Sequence, residues 1–160
     1  MNTGVLAAGE GRSIWAVGDR YTIKCGGNET RGAFALIEVW VPPGNGPPPH
    51  VHTREDEAFY VLEGELMFEA DGRRFTASVG AWVTLARGSL HYFRNTGTTP
   101  ARVLIMVTPS GLENFFLEVG REAPEGSSEP VVPSAEDMKK VIETAPKFGL
   151  QVHPPGAGSG

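Results

Sequence analysis

Between about residues 21 and 108 the apolar positions come in short runs, broken by turn-forming residues, with the period of strands. YTIKC (21–25) alternates moderately, and GGNETRG (26–32) reads as a turn or loop. AFALIEVWV (33–41) is apolar and rich in β-formers, which predicts a central strand. PPGNGPPPH (42–50) can be neither a helix nor a central strand, because proline lacks the donor and fixes φ. It must be an extended loop that delivers His50 to a defined place. EAFYVLEG (57–64), ELMFEA (65–70) and RRFTASV (73–79) follow as three strands, with Gly64 at one turn and Asp71-Gly72 as a hairpin signal at the next. AWVTL (81–85), LHYFRN (90–95) and ARVLIMV (101–107) complete the series. Eight or nine short strands with no helical pattern between them predict an antiparallel barrel or double-sheet jelly roll, and exclude a Rossmann-type chain.

The tail changes period. Leu112, Phe115, Phe116 and Val119 fall at i, i+3, i+4 and i+7, which predicts an amphipathic helix after Pro109. This helix could cover the barrel mouth or pack on its outside. REAPEGSSEPVVP (121–133) reads as a linker. Ser134 with Asp137 resembles a capping box that opens a second helix over about 135–145, ended by Pro146. KFGLQVHPP (147–155) is apolar enough to pack back on the barrel, and GAGSG (156–160) reads as a disordered tail. The expected division is an N-terminal arm over 1–19, a barrel over 20–108, a helical extension over 109–155 and the tail. No internal repeat is evident, so one barrel is expected.

Composition narrows the class. The chain has 160 residues, 40% of them apolar, enough for one domain with a real core. A net charge of −5 and the absence of basic clusters larger than a pair argue against nucleic-acid and anionic membrane partners. The single cysteine, Cys25, allows no intrachain disulfide, which fits a reducing compartment, and is read as a buried or half-buried strand residue. The first residues carry no basic stretch followed by an apolar one, and nothing approaches 18 consecutive apolar residues. A cytoplasmic location is expected.

Three of the four histidines sit in two short windows. His50-Val51-His52 places two imidazoles on one face of an extended segment, Glu57 opens the next strand, and His91 lies on a later one. Three imidazoles and a carboxylate suit divalent Mn, Fe, Co, Ni, Cu or Zn, whereas calcium prefers oxygen ligands. Strand parity sends Phe59 and Val61 inward with Glu57, and Phe93 inward with His91, giving an apolar, aromatic substrate pocket. Tyr60, Leu62 and Tyr92 then face outward, toward a second sheet or a partner subunit. His153 has no partner at ligand spacing and reads as surface or local packing. Glu55 and Asp56 read as solvent-exposed loop charges that could still reach the pocket rim.

The residues resemble the cupin family. Gly44, five residues, His50-Val51-His52, four residues, Glu57, six residues and Gly64 match its first motif. Gly80, five residues, Ala86-Arg87-Gly88, Ser89-Leu90, His91, three residues and Asn95 match the second, with Ala86 where the family usually has proline. The resemblance implies an all-β double-stranded β-helix, or jelly-roll barrel, with short C-terminal helices. It implies one divalent transition metal per chain, held by His50, His52, Glu57 and His91. It also implies structural roles for Gly64, Gly80, Gly88 and Asn95, the last bonding to a turn, and a homodimer.

Within the family, Glu57-Ala58-Phe59-Tyr60 and the segment Pro109 to Phe116 look like the bacterial quercetin and flavonol dioxygenases. That likeness implies oxygenation of an aromatic or enol substrate such as a flavonol by dioxygen, with Glu57 as the catalytic base. Two alternatives stand beside it. One is a metal-dependent isomerase or lyase of a small hydroxy- or keto-acid, which needs a cationic clamp from Arg54, Arg87 or Arg94; parity turns Arg94 outward. The other is a non-enzymatic, metal-containing cupin that binds a small molecule.

Overall fold

Alternation in the sequence becomes two facing antiparallel sheets. In the computed structural model, which describes residues 4–124, 127 and 130–153, the chain begins with β1 (Arg12–Ala16) and β2 (Asp19–Cys25). One helical turn, α1 (Gly27–Thr30), leads to β3 (Ala35–Val41). After the proline-rich loop come β4 (His50–His52), β5 (Asp56–Glu63), β6 (Glu65–Ala70) and β7 (Arg73–Ser78). β8 (Trp82–Leu85), β9 (Leu90–Arg94) and β10 (Ala101–Thr108) close the barrel. The tail holds α2 (Leu112–Val119), β11 (Arg121–Glu122), α3 (Ala135–Thr144), a 3-10 turn (Ala145–Phe148) and β12 (Leu150–Val152).

The first sheet has the order β11-β1-β2-β3-β10-β5-β8, the second β12-β4-β9-β6-β7. β10 lies between β3 and β5, and its residues 101, 103, 105 and 107 are buried while 102, 104 and 106 are half-buried. The inward face of each strand joins one core, and its centre is aromatic. Phe59, Phe68 and Phe93 meet at ring-centroid distances of 5.1, 5.6 and 6.0 Å, with Phe59 fully buried. Phe59→Ala is expected to cost about 3–5 kcal/mol of stability, because the neighbouring rings cannot collapse into the space left. Urea unfolding of the variant measures it.

The strands expected at 21–25, 33–41, 57–79, 81–85, 90–95 and 101–107 all form, as do both helices. The Ser134 hydroxyl accepts from Asp137 N at 3.2 Å and the Asp137 carboxylate accepts from Ser134 N at 2.8 Å, closing the capping box. Additional elements appear where the pattern was too short to show a period. Residues 12–16 are β1, GGNETRG contains α1, and residues 150–152 are β12. The glycine-rich segment 156–160 and part of the 121–133 linker lie outside the described residues. No helix among the described residues is long and apolar enough to cross a membrane.

Candidate metal centre

The proline-rich loop is fixed against the end of β9. Gly44 N donates to Asn95 O at 2.8 Å, and Asn95 N donates to Asn45 O at 2.9 Å. The Asn95 side chain is buried and fully used: its amide donates to Val41 O at 2.9 Å and Thr99 O at 2.8 Å, and its oxygen accepts from Gly97 N at 2.9 Å. Gly46 sits at φ 150°, where a Cβ would lie 2.1 Å from Phe93 O, so only glycine permits this approach to β9. The loop therefore feeds β4 into the sheet in one register, with His50 opposite His91. On its other side β4 pairs with β12, Leu150 opposite His52 and Val152 opposite His50.

The four residues converge. One donor atom from each of His50, His52, Glu57 and His91 lies within 4.8 Å of the others. Glu57 Oε2 is 3.1 Å from His91 Nε2 and 3.6 Å from His52 Nε2. Two of the imidazoles are anchored through Nδ1, and the third has a carboxylate behind it. His50 Nδ1 lies 2.9 Å from Pro48 O, His91 Nδ1 lies 3.1 Å from Ser89 O, and His52 Nδ1 lies 3.7 Å from Glu55 Oε2. Anchoring Nδ1 leaves Nε2 to face the centre, the arrangement found in histidines that ligate metals.

The electrostatics agree. Burial, followed by the neighbouring imidazoles, pushes His50 down to about 3, so it is neutral and offers a lone pair. Burial opposes ionisation of Glu57, but His52, His91 and His50 more than offset it and hold the carboxyl well below the usual range. Burial likewise lowers His52, and the Glu57 and Glu55 carboxylates outweigh it to raise its pKa. Both His52 nitrogens are buried with no hydrogen-bond partner, Nδ1 beside Glu55 and Nε2 beside Glu57. An anionic oxygen facing imidazole nitrogens, one of them orphaned, fits a divalent transition metal.

Glu55 corrects the sequence reading. It is 3% exposed, not a solvated loop charge, and stands behind His52. Its signal was an acidic residue three positions after a candidate ligand, which hydrophobic patterning reads only as polar. Asp56 is exposed as expected, and its carboxylate accepts from Arg87 N at 2.8 Å.

A cavity of about 50 Å³ adjoins the cluster, lined by His50, His52 and Glu57 and otherwise by mostly apolar side chains. Phe93 lines it, with Phe115 and Phe116 of α2 and Leu150 of β12, so α2 forms part of the wall. Phe59 and Val61 face inward but do not line it. Parity sets the face of a strand, not the depth, and each inward step from Glu57 lies about 7 Å further along β5. Tyr21 of β2 lines the cavity and was not singled out from the sequence. Among the described residues no lysine or arginine lines it. Arg94 faces outward and donates to Gly44 O at 2.9 Å, Arg87 is 3.5 Å from Asp56 Oδ2, and Arg54 is exposed. Tyr60 is exposed and Leu62 and Tyr92 half-buried, off the cavity. His153 is half-buried, and its backbone N donates to Pro49 O at 2.8 Å.

Residues 37–107 match the Cupin domain family. Over 151 residues, 94% of the chain, the sequence is 26% identical to the quercetin 2,3-dioxygenase of Bacillus subtilis strain 168 and spans 44% of that protein. It is 30% identical over 80 residues, 50% of the chain, to the tetracenomycin polyketide synthase protein TcmJ of Streptomyces glaucescens, spanning 52% of it. The chain thus spans about half the length of these two curated relatives. Its fold is similar to that of the polyketide cyclase RemF from Streptomyces resistomycificus, with a TM-score of 0.60 at 20% identity, covering 68% of this chain and 81% of that one.

Proposed function

Because residues 37–107 form a cupin domain with a His/His/Glu/His cluster that could hold a metal, we propose that the protein is a metal-dependent dioxygenase acting on an aromatic or enol substrate. The observation that carries this reading is the pairing of an aimed ligand set with a cavity wall that is almost wholly apolar. His50, His52, Glu57 and His91 would hold one divalent ion, with Glu55 orienting His52. When bound, the ion supplies positive charge for a substrate oxyanion and open coordination positions for dioxygen chemistry. The protein's own residues do the rest. Glu57, held ionised by its imidazole neighbours, accepts the proton of an enol or catechol hydroxyl. Phe93, Phe115 and Phe116 exclude water and flank a flat ring.

The likeness to quercetin 2,3-dioxygenase over 94% of the chain supports the same reaction class. At about 50 Å³ the cavity takes a few waters, so an intact flavonol enters only when its wall opens. An isomerase or lyase of a small acid would need a cationic clamp, and among the described residues no arginine lines the cavity. The test is oxygen uptake by protein reconstituted with Mn, Fe, Co, Ni or Cu, offered flavonols and smaller catechols or enols. Uptake that matches substrate loss one for one is expected with at least one pair. Conversion without oxygen uptake would overturn the dioxygenase reading.

A further inference from the structure

Apart from the histidines and Glu57, one polar side chain stands in the described cavity wall: Tyr21. It is 2% exposed, and its ring stacks on Phe116, centroids 4.0 Å apart and planes 20° apart. Two positions earlier on the same face of β2 is Asp19, which has no exposure at all. Asp19 Oδ1 accepts the Asn45 amide at 2.6 Å, and the same amide donates to Val17 O at 3.1 Å. Those bonds tie the β1–β2 turn to the proline-rich loop and give Oδ1 a structural role.

Asp19 Oδ2 has none. It is buried without a hydrogen bond of good geometry, the costliest state for a carboxyl oxygen. The Tyr21 phenol is a neighbour of this carboxyl, each group perturbing the other. Burial pushes Asp19 up to about 7 and Tyr21 well above the usual phenol range, the latter helped by the charges of Asp19 and Glu57. The phenol therefore keeps its proton. A protonated Asp19 can donate to the phenol oxygen, which leaves the single phenol hydrogen for an acceptor in the cavity.

We propose that Tyr21 is a specificity-determining donor: its hydroxyl binds the second oxygen of a ligand whose first oxygen is held at His50, His52, Glu57 and His91, and Asp19 behind it is a positioning residue. The inference rests on the metal-centre reading. Tyr21 lines the same small cavity as His50, His52 and Glu57. The ligand class assigned to it carries its two oxygens on neighbouring carbons, as a catechol or an enol beside a carbonyl does. A lone phenol has no partner for Tyr21.

The test is a comparison of nitrocatechol and para-nitrophenol binding to zinc-loaded protein, read by their visible absorption, so that no turnover is needed. Tyr21→Phe keeps the ring that stacks on Phe116. It is expected to weaken nitrocatechol about tenfold and leave para-nitrophenol unchanged. Asp19→Asn places an amide donor behind the phenol and is expected to retain the preference for nitrocatechol. Equal weakening of both probes, no weakening of either, or no binding of either to the wild type would overturn the proposal. The metal-centre reading is scored separately in the same titration: if it fails, removing zinc leaves para-nitrophenol binding to the wild type unchanged.

Discussion

Alanine in place of His50 or of His91 is expected to strip the protein of its metal. Wild-type protein from mixed-metal medium should carry close to one transition-metal ion per chain, and each variant should fall to background. The size of the effect follows from how the ligands are held. His91 is 1% exposed and anchored at Nδ1 by Ser89 O, and His50 lies opposite it across the β4–β9 pair, so neither can be replaced by a swing of the other. Loss of a residue that merely orients a ligand lowers metal affinity about 10–100-fold, and loss of a ligand itself should exceed that. Elemental analysis checks the stoichiometry. The melting temperature gives a second readout, because an ion that binds only the folded state raises it in the wild type and leaves the variants unmoved. Metal at full occupancy in both variants would place the ion elsewhere.

Glu57→Gln is expected to keep part of the metal and lose turnover by about 10²–10⁴-fold. The amide preserves the shape of the side chain and one ligating oxygen. It removes the group that can take a proton. In the wild type that group is kept ionised against the effect of burial by His52, His91 and His50, so at neutral pH it carries no proton of its own. Oxygen uptake normalised to bound metal separates the two roles. Turnover that survives in the metal-loaded variant would assign Glu57 to ligation alone.

The barrel strands were legible because short runs of β-formers are broken by turn residues, and burial alternates most regularly in β3 and β10. The four converging residues were legible because two of them share one face of a three-residue strand and the motif spacing fixes the others. β4 and β12 left no period, being three residues each, and pairing with neighbouring strands makes them strands, β4 with β9 and β12, and β12 with β4. Glu55 and Tyr21 were hidden for another reason. A glutamate in a turn and a tyrosine in a moderate alternation give no local sign that the chain will fold back over them. Phe59 and Val61 mark a further limit. Their face was right, but whether they meet the cavity depends on how far along the barrel axis Glu57 stands, which no pattern along the chain encodes.

The pairing of β12 with β4 ties the far end of the chain to the histidine strand. Without Leu150–Val152, the strand bearing His50 and His52 would be the open border of its sheet, with backbone groups facing solvent on one side. Docking of the tail and seating of an ion at the imidazoles are then two events on a single short strand. Whatever free energy one lends the other is returned in equal measure. Amide exchange in Leu150–Val152 would thus become a remote gauge of occupancy at the centre, and β12 would help to retain an ion there.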